Sequence, residues 1–236
     1  MSIDELSLDQ QKRFEKFNRI LSFAKGTISN NRPSLEKLIK ILVRPIQAEI
    51  IMRVIECQTE DVSMTDQYPD VSSPEYFFMG DKSEGLFDEK SRTNLSEDKN
   101  DFEVNLSTDG VLPWPWRKQR LKNVIKETGP EWVNTEWRQD PNHSIELWLP
   151  WRLAFVNNGN HSITAGIFCS GAKVIPDQVY DMSYIFTIIE CDGRNYMNKR
   201  TDTILTPMLD PRIGAIFEIG RLIHSLDSRK SHSLRT

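Results

Sequence analysis

The stretch Phe155-Val-Asn-Asn-Gly159-Asn-His161-Ser-Ile-Thr-Ala165-Gly-Ile-Phe-Cys-Ser-Gly171 holds the residues best placed to do chemistry. Physically it is a strand, a glycine turn and a helix whose first residues are polar. A helix start carries backbone N–H groups without intrahelical partners and the positive end of the helix dipole, which together suit a phosphate or carboxylate. Gly159 lets the main chain turn and a ligand come close. His161 and Ser162 follow, one able to act as acid, base or donor, the other as hydroxyl donor and N-cap. Ala165 and Gly166 keep the next turn thin, so that the helix can lie close on a sheet. The expected phosphate site is therefore Asn158, Gly159, Asn160 and Ser162, with His161 as general acid/base or stabiliser of developing charge. Arg117 and Arg120 are either an ordinary solvated helix face or cations reaching this turn from across a cleft.

Other polar residues give weaker signals. Asn142-His143 has no His-Asn-His spacing around it and reads as a surface loop. Asp140, Asp177, Asp181, Asp192 and Asp202 could hold Mg²⁺ only if three of them converge. Three cysteines, Cys57, Cys169 and Cys191, are widely spaced with no CxxC. That pattern fits a reducing cytoplasm and neither a disulfide framework nor a cysteine zinc site. Cys169 reads as a buried small hydrophobe.

The elements that must position these residues follow from periodicity. Ser144–Leu149 alternates as a strand, and Arg152–Val156 is a second that ends at Asn157-Asn158-Gly159. The helix from His161 to Ser170 is closed by Gly171. Val111-Leu-Pro-Trp-Pro-Trp116 is extended but excluded from the middle of a sheet, because its prolines cannot donate to a ladder. Arg117–Lys126 reads as a helix with Leu121, Val124 and Ile125 on one side, stopped by Gly129-Pro130. Gln178–Tyr180 is another strand. Tyr184–Cys191 is apolar and β-branched ahead of the turn at Asp192-Gly193. Ile213–Leu226 is a helix. All six tryptophans lie between Trp114 and Trp151. They are expected to be the heart of the core, with one or two at a cleft edge; the competing reading is a stacking surface for bases.

The chain has 236 residues, 38% hydrophobic and 27% charged, the profile of a soluble globular protein. No apolar run reaches the roughly 18–20 residues of a spanning helix, and the acidic start, Met1-Ser-Ile-Asp-Glu, is unlike a signal peptide. These features imply a cytoplasmic protein with no membrane partner. The net charge of −4 conceals three regions. Residues 1–55 hold ten Lys and Arg against six Asp and Glu and read as helices, over 4–25 and from Leu35 to about Ile55, with Ser34 as an N-cap and Pro45 kinking or splitting the second. Residues 56–104 are an acidic loop or insert: to position 103 they hold fourteen acids against four bases, with short ordered pieces near Tyr76–Met79. Residues 105–236 form the α/β domain and its C-terminal helix.

The order Gly159, His161, Ala165, Gly171, Ile175-Pro176, then Val179 and Asp181-Met-Ser183, resembles the ParB/sulfiredoxin-like superfamily. Leu112-Pro-Trp-Pro-Trp-Arg117-Lys-Gln-Arg120 is similar to that superfamily's proline-rich first box. The resemblance covers about residues 109–192 and implies a mixed α+β fold, here a ParB-like domain with an N-terminal helical extension. Two departures matter. The superfamily's arginine after the glycine turn falls on Ser162, which removes a bidentate phosphate clamp. The nucleophilic cysteine of sulfiredoxin would fall on Asn160, which argues against that reductase chemistry.

The resemblance implies a nucleotide or phosphodiester site rather than one reaction. The expectation is a ParB-like protein that processes nucleotides or nucleic acid, as a nuclease or a phosphotransfer enzyme, with a nucleotide and Mg²⁺ as its cofactors. Overall acidity stands against a DNA-binding footprint. The alternative is a catalytically degenerate binding or assembly subunit, as in a bacterial defence or toxin system, that engages a protein partner through the N-terminal helices or the acidic insert.

Overall fold

The computed structural model describes residues 8–27, 30–62, 71, 74–80, 87, 92–127 and 137–233, with side chains through residue 229. Helix α1 is Leu8–Thr27 and α2 is Arg32–Glu56. The cap of α2 is Asn31, not Ser34: the Asn31 side chain accepts the Ser34 amide, and Pro33 occupies the first turn, where no donor is needed. Pro45 lies inside a continuous α2 and does not split it. The short helix α3, Tyr76–Met79, coincides with the ordered piece expected within the acidic stretch.

At the centre is a five-stranded mixed sheet. Its strands are β1 (Thr93–Asn94), β3 (Gly110–Leu112), β4 (Ser144–Leu149), β5 (Leu153–Asn158) and β7 (Gln178–Asp181), in the order β1-β7-β4-β5-β3. β3 runs parallel to β5 at one edge and stops before Pro113, as a proline-rich segment must. Strands β2 (Val104–Asn105) and β6 (Lys173–Val174) pair beside this sheet. Helix α4 is Lys118–Glu127 and α5 is Asn160–Ile167.

Alternation along the strands divides the core in two. Trp148, Leu153, Phe155 and Tyr180 point to one face, where α1, α2, α3 and the C-terminal helix α6 (Pro211–Ser233) bury Phe17, Ile46, Phe77 and Phe217. Ile145, Leu147, Ala154, Val156 and Val179 point to the other, under Ile163 and Ile167 of α5. The acidic stretch adds Val71, Phe77, Phe78, Met79 and Phe87 to the first face, so one core runs through all three charge regions of the chain.

Several expectations change. Tyr184–Cys191 is a 3-10 turn, Ser183–Thr187, followed by β8, Ile189–Cys191. A hairpin of β9 (Asn195–Asn198) and β10 (Thr203–Pro207) continues that strand into a second sheet. Ile125 is 49% exposed while Leu121 is buried against Ile51 and Val54 of α2. α5 ends at Ile167 with Phe168 as its C-cap, three residues before the left-handed Gly171. The Gly129-Pro130 stop and Trp132 lie outside the described residues. No described helix is long and apolar enough to cross a membrane.

Candidate functional site

Strand β5 feeds directly into α5 through Gly159, which is the N-cap with φ +76°. The glycine is required twice. Its left-handed backbone strains any L side chain, and a Cβ there would lie 2.5 Å from Cδ2 of His143. His143 is fixed in turn: Trp137 stacks on it at 4.8 Å, its Nδ1 accepts the Asp140 amide, and burial lowers its pKa against the opposing pull of Asp140. Gly166 admits the Trp137 ring, since a Cβ there would sit 2.9 Å from Trp137 Nε1, and that N–H donates to the Ser162 carbonyl at 2.9 Å. A small residue, a ring and a second ring thus set the height of the α5 N-terminus.

Beside this turn is a cleft of about 390 Å³. Its walls are Asn158, Gly159, Asn160, His161 and Ser162 on one side, Trp116, Arg120, Asn123 and Val124 on the other, with Asn142 at the end. Arg120 and the whole Asn158–Ser162 turn therefore share one cavity. Arg117 does not line it. Its guanidinium forms an exposed ion pair with Asp61 at 2.9 Å, which raises its pKa, and only its main chain reaches the site. Among the described tryptophans, Trp114, Trp148 and Trp151 are core, and Trp116 lies at the cleft edge.

The polar walls share a bias. Asn158 Oδ1 accepts the Gly159 amide and Asn160 Oδ1 accepts the Trp114 amide, so each oxygen is engaged within the chain while neither Nδ2 has an acceptor among the described residues. Ser162 Oγ accepts from Trp137 Nε1 at 3.3 Å, which leaves its O–H to donate. Ser162 is the third residue of α5 and does not cap it. The amides of Asn160, His161 and Ser162 have no acceptor among the described residues.

His161 follows the same pattern. It is buried, with Trp116 edge-on at 4.9 Å and Nε2 at 3.1 Å from both the N–H and the carbonyl of Arg117. That carbonyl already accepts the Leu121 amide of α4, whereas the Arg117 amide has no other acceptor among the described residues. Satisfying both groups requires Nε2 to accept, which assigns the ring proton to Nδ1. Burial, and then the charges of Arg120 and Arg117, hold the pKa below the ordinary imidazole value, and an accepting Nε2 acts in the same direction. His161 is a neutral donor near pH 7, comparable to a neutral imidazole that polarises an oxygen without accepting a proton.

A metal finds little here. Among the described residues no three His, Cys, Asp or Glu side chains come together as a cation site, and no carboxylate lines the cleft. Three of the five acids singled out in the sequence serve local turns: Asp140 accepts the Asn142 amide, Asp181 the Ser183 amide and Asp192 those of Arg194 and Asn195. Cys169 donates to the Ala165 carbonyl, and burial raises its pKa, so it is not a thiolate nucleophile. Asn123 and Asn142 are walls that sequence reasoning missed. Asn123 was within reach, because Trp116, Arg120, Asn123 and Val124 recur at helical spacing. Asn142 was not, because a turn far from α4 in sequence brings it there.

No curated protein and no solved structure matches the chain. A family model does, over residues 3–230, and this extent places the chain in DUF6710, a family of unknown function.

Proposed function

We propose that the cleft at the α5 N-terminus binds the phosphate of a nucleotide or of a nucleic-acid strand, and that the chain works as a ParB-like nucleotide- or nucleic-acid-handling protein. One observation carries the reading: Asn158, Asn160, His161 and Ser162 each spend an acceptor within the chain while their donors have no acceptor among the described residues, with Arg120 as a cation on the facing wall. An oxyanion is the ligand that satisfies such a wall. Trp116 offers an apolar edge for a base or sugar. The strand, glycine turn, helix and following strand lie in the order that the ParB/sulfiredoxin-like resemblance implies, which supports the reading.

The neutral, Nε2-committed His161 favours binding over turnover. Its role is then to donate from Nδ1 to a phosphate oxygen. Among the described residues no carboxylate lines the cleft to hold Mg²⁺, so from these residues a magnesium ion would arrive on the ligand's own phosphates, and no step is assigned to it. This favours the degenerate binding or assembly subunit within the ParB-like reading over a nuclease.

Calorimetric titration with nucleoside triphosphates and a short single-stranded oligonucleotide tests the reading. The wild-type protein should bind at least one of them, and Arg120→Gln should weaken binding by about tenfold or more, the loss of a charged hydrogen bond. Ser162→Arg, which restores the superfamily's cation, should tighten it. Release of phosphate or cleaved product during the titration would favour the enzyme reading. Equal absence of binding in all three proteins would sink the phosphate site.

A further inference from the structure

Helix α2 buries one face against α6 and β3, through residues such as Leu35, Ile39, Val43, Ile46 and Ile50. Directly across the helix lies a second apolar row: Ile41, Pro45, Ala48, Met52 and Ile55, at alternating spacings of four and three residues. All five are exposed, Ile41 to 65% and Met52 and Ile55 to 44% each. A globular surface helix needs one apolar stripe, facing its core. A second stripe with an alternating four-three repeat is the pattern of a helix that pairs with another helix.

We propose that this row is a dimerisation seam and that its occupant is α2 of a second copy of this chain, running parallel. The charges beside the row select the partner. Arg44 precedes the Pro45 position and Glu49 follows the Ala48 position, on opposite flanks. In a parallel pair, the residue just before one seam position faces the residue five further along the other helix, so Arg44 meets Glu49 of the partner subunit, twice by symmetry. An antiparallel pair would instead bring two glutamates together beside Ala48. Arg44 is exposed while it gives one guanidinium N–H to the Ser107 carbonyl, and Glu49 keeps 47% side-chain exposure while it holds Arg212, so in the dimer each shares its present partner. Ala48, in the middle of the row, lets the helix axes approach.

The full-length protein tests this by sedimentation velocity over a range of concentrations. The wild type should self-associate, and Ala48→Glu or Met52→Lys should weaken association by about tenfold or more, because each places a charge in an apolar seam. Both positions are exposed, and unchanged thermal melting of the variants would exclude misfolding. Orientation is read from Met52→Cys in a Cys57→Ser background: the parallel seam yields a disulfide-linked dimer on mild oxidation. A monomeric wild type at every concentration, or a dimer indifferent to both charged variants, would overturn the seam. A seam-dependent dimer that fails to cross-link through position 52 would overturn the parallel arrangement.

Discussion

The two faces of the central sheet are packed by different means. The α6 face is aromatic: Trp148 and Trp151 are almost wholly buried, and Phe77, Phe78, Phe155, Phe186 and Phe217 meet them or one another edge-on or tilted. The α5 face is thin and mostly aliphatic, and its spacing is set by glycines that admit the rings of His143 and Trp137. Large rings supply buried area and tolerate no truncation. A thin layer lets a helix N-terminus sit low over the strand that feeds it. Stability is concentrated on one side of the sheet and ligand geometry on the other.

The largest expected effect is on the aromatic side. Trp148→Ala removes an indole packed between Phe87, Trp151 and Phe155 and should cost about 3–5 kcal/mol in urea denaturation. Cleft binding per folded molecule should change little. Gly159→Ala should reverse that profile. The left-handed backbone alone costs about 1–2 kcal/mol, and the His143 contact adds to it, but the main loss is ligand binding, because the turn must move. A Gly159→Ala protein with wild-type affinity would break the division between the faces.

The smallest effect is in pH, and the faces differ in sign. Burial lowers the pKa of His143 and His161 on the α5 side. The unfolded chain then gains protons that the folded one refuses as pH falls below about 6.5, so this stability is full above that value and is lost below it. The slope is at most about 1.4 kcal/mol per histidine per pH unit. Glu146, on the aromatic side, is raised by burial, against the Trp148 N–H and Arg92 that favour its carboxylate. Its contribution is present below the ordinary carboxylate range and is lost as pH rises through its folded value. Urea titrations from pH 4 to 8 should show His161→Gln flattening the acid-side loss and Glu146→Gln flattening the other limb. A profile unchanged by both variants would mean that neither burial is energetically felt.

How far the sequence reveals this arrangement depends on the kind of signal. β4, β5 and α5 are legible because alternation, a glycine turn and helical spacing are local. β3 is legible as an edge because proline cannot donate to a ladder. The β9–β10 hairpin is not: Asn195–Asn198 and Thr203–Pro207 are too polar to alternate, and Asp202, at φ 55°, gives its turn no glycine signal. The cap of α2 was misplaced because Asn31 and Ser34 are both capping types, and only geometry separates a residue that accepts from one that donates. Composition marks residues 56–104 as acidic, and the apolar run at Tyr76–Met79 stands out within them, but nothing local marks Phe87 as core. The site's residue types could be read from its motif. The turning away of Arg117 toward Asp61 could not, since that partner lies 56 positions earlier in the chain.

The bond that orients His161 runs to the main chain of Arg117, and neighbouring main-chain bonds, Val62 to Trp116 and Lys118 to Glu60, hold that segment in place. Side-chain identity at position 117 is therefore not what keeps the imidazole in its tautomer. Any residue with an amide would serve there; proline alone would not. Position 117 can change its charge or its size while the ring opposite keeps the same proton in the same place.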